Sequence, residues 1–556
     1  MESSIRKFAL ENAIKYNGKA NQGAVIGHLL AEDHSLKSKL KEISPKIARI
    51  IKEVNALGVE KATAELMKIA PELLEEKKKG PQEKVLTELK NVGDKVIMRF
   101  EPSPSGALHI GHAYVLSLNS EYCKKYNGKL ILRIADTNPE NIYEPAYGII
   151  EEDAKWITGD RVNEVLLQSQ RLPIYYSYME KLLDMDKVYI CTCDPEHYKE
   201  LNTQSKACPC RDLPKKEQQQ RWKKMFKGYE QGEAVARVKT DLNHKNPAMR
   251  DFPIFRINDS KHPRQGTKSR VWPLMNMAVT VDDIENKVTH VIRAKDHYDN
   301  AMRQRYLFDY LGKKFPEALF VGRINFEGMP VSATKTRKAI EAGTYSGWDD
   351  IRIPFLQALK RRGYQAGAFV RYAIDVGVSL TDKTVSRDEY FKVIDAFNKD
   401  CIDPQANRYF FISKPKKITL EGAPAQKIEL DLHPQTRKGG RTFDIQSTFY
   451  IEEQDYDNIK EGKLYRLMDC LNFTKKGKKL LFHSLDYQTY KEKGEGIMHW
   501  LPEETIPIHV LMPDNTLMKG MGEKGLSVLK VDTIVQLERF GFCRLDAKGS
   551  FWFCQR

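Results

Sequence analysis

The pattern of apolar and polar positions changes most sharply between Lys95 and Thr137. An apolar run from Val96 to Phe100 breaks at Pro102-Ser103-Pro104-Ser105-Gly106, and helical spacing takes over from Leu108 to about Tyr126. Asn127-Gly128 closes that helix, and Leu130 to Ile134 forms a second strand-like run. Strand, crossover helix and strand in this order build a parallel sheet. Upstream, Ile5, Phe8, Ala9 and Ala13 recur at helical spacing, as do Leu36, Leu40 and Ile43. Ser44-Pro45 reads as the cap and first turn of a further helix carrying Ile47, Ile50 and Val54. Glu75-Glu76 and Lys77 to Lys79 read as a helix end stopped by Gly80-Pro81. Downstream, Val288 to Ile292 is a buried-strand run and residues 346 to about 403 look helical. After Asp403-Pro404 the period becomes two, in Phe443, Ile445, Ser447 and Phe449, in Ile506, Ile508 and Val510, and in Val535 and Leu537. Short strands with frequent turns predict β-barrels.

Composition narrows the class. A chain of 556 residues with 41% hydrophobic and 30% charged positions has the balance of a soluble globular protein with several domains. No run approaches the roughly 18 apolar residues a membrane span needs, and the N-terminal MESSIRKFALENAIKYNG lacks a signal peptide's apolar core. A net charge of +15 favours a polyanionic partner, because clustered Lys and Arg release counterions from phosphates. Nine cysteines in such a chain suggest thiols or metal rather than a disulfide framework.

Candidate chemistry gathers at the first helix. His109 and His112 project from one face into the space beyond the carboxyl edge of the sheet. The helix N-terminus adds unpaired N–H groups and partial positive charge, and two imidazoles can donate to phosphoryl oxygens as their charge grows. Gly111 leaves the helix surface open to a planar ligand. Together these predict a phosphate site. Arg99 lies on the first strand, and Arg293, Asp296 and His297 end the Val288 to Ile292 run, where ligands collect in open α/β sheets. Cys191, Cys193, Cys208 and Cys210 form two CxC pairs fourteen residues apart, a set suited to a tetrahedral structural zinc. Gly520-Met-Gly522-Glu-Lys-Gly525 satisfies GxGxxG but precedes a strand-like Leu526 to Val531, so no helix follows to hold a pyrophosphate.

RFEPSPSGALHIGH (Arg99–His112), RIADTNPEN (Arg133–Asn141), the two CxC pairs, VDD…THVIRAKDH (Val281–His297) and VSATKT (Val331–Thr336) cover most of the chain. In these motifs it resembles the class I aminoacyl-tRNA synthetases in their glutamyl/glutaminyl form, and as a whole the archaeal type of glutamyl-tRNA synthetase. The resemblance implies a multidomain α/β fold, with a Rossmann-type class I synthetase catalytic domain, helical N-terminal and linker modules and C-terminal β-barrels. It implies an appended helical domain at 1–93 for docking tRNA or other translation proteins, and catalytic halves at 94–187 and 269–345. Between the halves, 188–268 would be an acceptor-stem insert with a four-cysteine knuckle; 346–403 would contact the stem and 404–556 the anticodon.

The implied reaction joins L-glutamate to tRNA(Glu) using ATP with Mg2+, in the cytoplasm, with tRNA(Gln) a further candidate and zinc in the knuckle. ATP would rest on Ser105, Gly106, His109, Ile110, Gly111 and His112, joined by Thr334 and Lys335 from the Ser332-Ala-Thr-Lys-Thr336 loop. His109, His112 and Lys335 would stabilise the transferring phosphates. Arg99, Ser103, Asp136, Met275 and Arg293 would line the glutamate pocket. Two positions depart from the family pattern. Ala135 stands where an acid usually holds the substrate ammonium, so Asp136 or a residue from elsewhere takes that role, and Met275 stands where a tyrosine usually packs. Glutaminyl-tRNA synthetase, a small-molecule nucleotidyltransferase and a catalytically retired tRNA-binding relative are the alternatives.

Overall fold

The computed structural model describes residues 2–16, 18–32, 36, 40–70, 73 and 84–556. Its compact units are Met1–Glu83 and Lys84–Arg556. The first unit holds helices Glu2–Lys15 (α1), Gln22–Glu32 (α2), Leu40–Asn55 (α3) and Gly58–Ile69 (α4). Their apolar stripes meet in one core that includes Ile5, Ala9, Val25, Ile47 and Leu66. One expectation is corrected here: α3 begins at Leu40 and carries Pro45 inside it rather than starting at Ser44-Pro45. The proline forfeits one bond to the carbonyl four residues earlier, but Ile43, Ile47 and Ile50 bury one continuous stripe across it. The helix end expected from Glu75 to Pro81 lies outside the described residues.

In the second unit Ile97–Phe100 (β1) is followed by Ile110–Lys125 (α5), Lys129–Ile134 (β2), Ala146–Thr158 (α6) and Val162–Leu167 (β3). β1, β2 and β3 pair in parallel, which is the crossover unit that the sequence predicts. Leu116, Leu118 and Tyr122 of α5 are buried, because sheet and neighbouring helices cover different sides of it. Leu172–Asp184 (α7) then leads into an antiparallel sheet of Val188–Cys191 (β4), Val235–Val238 (β5), Pro253–Ile257 (β6) and Val271–Pro273 (β7). Pro195–Thr203 (α8) and Lys215–Phe226 (α9) lie between β4 and β5. Parallel pairing returns with Met275–Glu285 (α10), His290–Ala294 (β8), Tyr298–Tyr310 (α11) and Glu317–Val321 (β9). Thr289 N donates to Ile97 O at 2.9 Å, so β8 continues the layer on the β1 side.

Ile324–Glu327 (β10), Ala333–Glu341 (α12), Leu356–Arg362 (α13), Ala366–Val376 (α14), Lys383–Ser386 (β11) and Arg387–Ile402 (α15) follow. Residues 346–355 are not helical as expected. Pro354 disfavours the helical region for the residue before it, and the extended segment bonds to the sequence ahead of α5: Ile110 N to Pro354 O at 3.2 Å and Leu356 N to Leu108 O at 2.9 Å. At the far end of α13, Arg361 grips Asp546 with bonds of 2.9 and 2.7 Å. One short helix thus joins the start of α5 to the C-terminal region.

That region is β-rich as expected, with a seven-stranded sheet, a six-stranded sheet and the hairpin Gln426–His433 with Arg437–Ile445. Phe443, Ile445, Phe449, Ile508, Val510, Val535 and Leu537 all face cores, as their period of two requires. Gly520 and Gly522 lie on the strand Leu517–Glu523, and a Cβ on Gly520 would come within 2.2 Å of Ile412 O. These glycines serve strand packing. The run Leu526 to Val531 is not a strand; Lys524–Val528 is a 3-10 turn.

Candidate active site

The site is built outward from the start of α5. His109 is the N-cap in extended conformation, with φ −117° and ψ 175°, and its Nδ1 accepts from Gly111 N at 3.1 Å. His112 Nδ1 accepts from His109 N at 3.3 Å, so the pair forms a reciprocal cap made of two imidazoles. The ring centroids are 3.8 Å apart. Burial pushes the His112 imidazole down to about 4, and burial together with His112 lowers His109 as well. Both rings are therefore neutral near pH 7. With each Nδ1 accepting a backbone proton, each Nε2 carries the hydrogen and can donate. Ile110 beside them is core. At Gly111 a Cβ would lie 3.0 Å from His109 Cε1, so the missing side chain makes room for that ring.

The lead-in is anchored from behind. Asp153 on α6 is buried and accepts from Leu108 N at 3.2 Å, and burial raises its carboxyl to about 8. Gly106 is held against α12, since a Cβ would come within 2.4 Å of the Trp348 ring and 3.2 Å of Ala333 Cβ. The structure therefore brings Ser105 and Gly106 next to the Ser332–Thr336 segment. That segment is not the loop expected: Ser332 is the N-cap of α12, and Ala333, Thr334, Lys335 and Thr336 form its first turn. No helix breaker follows Ser332 until Gly343, so the chain winds at once. Lys335 is exposed and has no hydrogen bond or ion pair with any described residue.

Beyond β1 and β2 lies a charge cluster that the sequence reading missed as a unit. Arg133 is fully buried, with Nη1 2.7 Å from Asp283 and 3.2 Å from Glu101. Arg99 Nε lies 3.4 Å from both of those acids. Burial opposes ionisation of Asp283, yet Arg99, Arg133 and Arg293 hold its carboxyl below the usual range. Arg293, at the end of β8, donates to Gln304 at 2.9 Å, while its buried Nε has no partner among the described residues. Burial, then the nearby Arg99, push Arg293 down to about 10, so it stays cationic and is short of a carboxylate. Gln304 in turn donates to Asn276, which follows Met275 at the start of α10. Met275 is 42% exposed, and Ser103 is exposed too.

Asp136 is not available to a ligand. It is fully buried, Oδ1 accepts from Ser169 N at 2.7 Å, and Oδ2 accepts from Tyr147 and Ser169 hydroxyls, both at 2.7 Å. The expectation that it meets the substrate is corrected to a structural role tying the end of β2 to α6 and to the turn ahead of α7. A period-two reading of β1 could have found Glu101, which shares a face with Arg99.

The four cysteines come together apart from this cluster. Their sulfurs all lie within 4.8 Å of one another, with Cys191–Cys208 at 3.9 Å and Cys193–Cys210 at 3.7 Å. Arg221 Nη1 sits 3.2 Å from Cys210 Sγ. Four thiols with a guanidinium beside them fit a zinc ion.

Family models agree with this layout. Residues 95–403 match the catalytic domain of class I tRNA synthetases (E and Q), and 406–481 and 497–546 match the two anti-codon binding domains of the same family. The chain is 41% identical to a glutamate–tRNA ligase of Methanocaldococcus jannaschii across 100% of this chain and 99% of the relative. It is 43% identical to one of Pyrococcus abyssi, across 98% and 97%. A solved glutamate tRNA ligase from Elizabethkingia meningosepticum covers 56% of this chain and 71% of its own, at 19% identity and TM-score 0.41. With two imidazoles capping α5, paired arginines at the strand ends and a family match over more than half its length, the chain belongs to the class I tRNA synthetases of the E and Q group.

Proposed function

We propose that the protein acts as a glutamate–tRNA ligase, activating L-glutamate with ATP and passing it to the 3′ end of tRNA. Similarity over 100% of the chain to a protein of that activity carries the reading. Arg99 and Arg293 give it a chemical basis, because two guanidinium forks fit a substrate with two carboxylates better than one with a carboxylate and an amide.

In the first step an α-carboxylate oxygen of glutamate attacks the α-phosphorus of ATP, and the bond to pyrophosphate breaks. The Nε2–H groups of His109 and His112 donate to the phosphoryl oxygens, and Ser105, Gly106, Ile110 and Thr334 shape the surroundings. Lys335, without a partner among the described residues, follows the charge that moves onto pyrophosphate. Magnesium accompanying ATP would supply further neutralisation of the phosphate charge. The terminal ribose hydroxyl of tRNA then attacks the acyl carbon and AMP leaves. Positioning and charge stabilisation supply most of the rate.

Cys191, Cys193, Cys208 and Cys210 would hold zinc, which would fix the β4–α8 turn without entering the chemistry. The 188–268 insert would grip the acceptor end, the 404–556 sheets the anticodon, and the four-helix unit tRNA or another translation protein. Nine cysteines with no disulfide among the described residues suit a reducing cytoplasm.

Charging of purified tRNA(Glu) and tRNA(Gln) with labelled glutamate, and separately glutamine, tests the reading. Glutamate on tRNA(Glu) is the expected result, and label on tRNA(Gln) would extend the substrate range. Charging with glutamine alone, or with neither amino acid, would overturn the proposal.

A further inference from the structure

We infer that Glu101 is the group that receives the substrate ammonium, and that it sets the pocket's preference for an α-amino acid over a plain diacid. The inference rests on the reading of the site as a glutamate pocket. Glutamate brings two carboxylates and one ammonium out of water together. Arg99 and Arg293 answer the carboxylates. An ammonium that is desolvated without an anionic acceptor is costly, so the pocket needs a carboxylate at its open edge.

Four carboxylates stand near the ends of β1 and β2. Asp136 is consumed by Ser169 and Tyr147. Asp282 is fully buried and accepts from Gln168, Arg171 and Tyr175. Asp283 lies beneath Arg133 and Arg99. Glu101 differs in position. Its oxygens lie near Gln168 at 2.9 Å, Arg133 at 3.2 Å and Arg99 at 3.4 Å. A carboxylate has about four lone-pair sites, so capacity remains for an ammonium.

The strand register supplies the second observation. Phe100 is level with Leu132, which puts Glu101 level with Arg133, and Ala135 lies two residues further along the neighbouring strand end, on the same face, where its N donates to Pro102 O at 2.9 Å. Of the four acids Glu101 is the least buried, with its side chain 8% exposed against 0% for Asp136 and Asp282 and 2% for Asp283. Ala135 offers no charge on this face and Glu101 does. Glu101 also shares its strand face with Arg99, so carboxylate-binding and ammonium-binding groups project together from β1. Burial, only partly offset by Arg133 and Arg99, raises the Glu101 carboxyl, as expected for an acid still short of a cationic neighbour.

Calorimetric binding of L-glutamate and of glutarate, which lacks the ammonium, separates this role from simple neutralisation of Arg133. Wild-type protein should prefer L-glutamate by about tenfold to a hundredfold. Glu101→Gln should reduce that preference to within about threefold while leaving glutarate binding in place, and Glu101→Ala with Ala135→Glu should restore it. A preference unchanged in Glu101→Gln would overturn the inference alone; failure of the wild-type protein to bind L-glutamate would overturn the glutamate reading and this inference with it. If Glu101→Gln does not fold, a crystal structure of the wild-type protein with L-glutamate decides: the ammonium lies within hydrogen-bond distance of Glu101, or the inference is wrong.

Discussion

His109–His112 and Ser332–Thr336 flank the same lead-in, but the protein holds them in opposite ways. The first is fixed from several sides, by backbone bonds to Pro354 and Leu356, by Asp153 behind Leu108 and by the mutual cap of its rings. The second touches the lead-in through Ala333, while Lys335 stands in solvent without a partner among the described residues. Donors that must meet developing charge gain by being fixed in advance, whereas a cation that follows a leaving group gains by being free to move.

The largest expected effects test this contrast directly. Lys335→Ala should slow glutamate-dependent ATP–pyrophosphate exchange by about 10²–10³-fold, the range for losing one charge-stabilising donor, with the melting temperature unchanged. His109→Ala should cost a similar factor in rate but also lower the melting temperature, because its ring packs against His112 and caps the helix. Equal thermal behaviour of the two variants would erase the distinction.

Acid should unsettle only the fixed segment. His112 is pushed down to about 4 in the folded protein, below the ordinary 6.5, so protonation favours the unfolded chain. The associated stability is whole above pH 6.5 and drains as the pH falls towards 4, by roughly 2 kcal/mol since the rings keep an edge open to solvent. Chemical denaturation between those pH values should show a smaller slope in His112→Asn.

Gly106→Ala probes the join between the segments. Its Cβ would meet the Trp348 ring at 2.4 Å and Ala333 Cβ at 3.2 Å, and relief requires moving that ring and α12, or the lead-in. A loss of about 1–3 kcal/mol is expected, readable as a lower urea midpoint.

The smallest effect is expected at Asp153, whose carboxyl is raised by burial to about 8. A raised acid stabilises the fold fully at low pH and loses that contribution as the pH climbs through 8. Asp153→Asn keeps an acceptor for Leu108 N and removes the charge, offset by an unpaired amide N–H. It should be more stable than wild type by about 1 kcal/mol at pH 9 and not at pH 5; the same ranking at both pH values would count against a buried charge there.

Much of the site was legible in the chain because it is local. The β1–α5–β2 unit, both histidines and the cysteine quartet each depend on spacing within a few turns or one loop. The C-terminal strands announced themselves by a period of two. A misreading arose where a local signal met a tertiary demand: Pro45 was carried by an apolar stripe longer than its own signal. Ser332–Thr336 looked like a loop until the absence of a breaker let it wind.

The sequence by itself determined the elements, the imidazole pair at a helix start and the grouping of four thiols, since backbone periodicity and short spacings are enough for each. Only the tertiary structure decided which charges neutralise which. Arg133 meets Asp283 across 150 positions and Arg99 meets it across 184, and no local pattern encodes such pairs. Burial then makes the choice matter, because in a site closed to water an acid with partners, like Asp136, is structural, and one with capacity left, like Glu101, is chemistry.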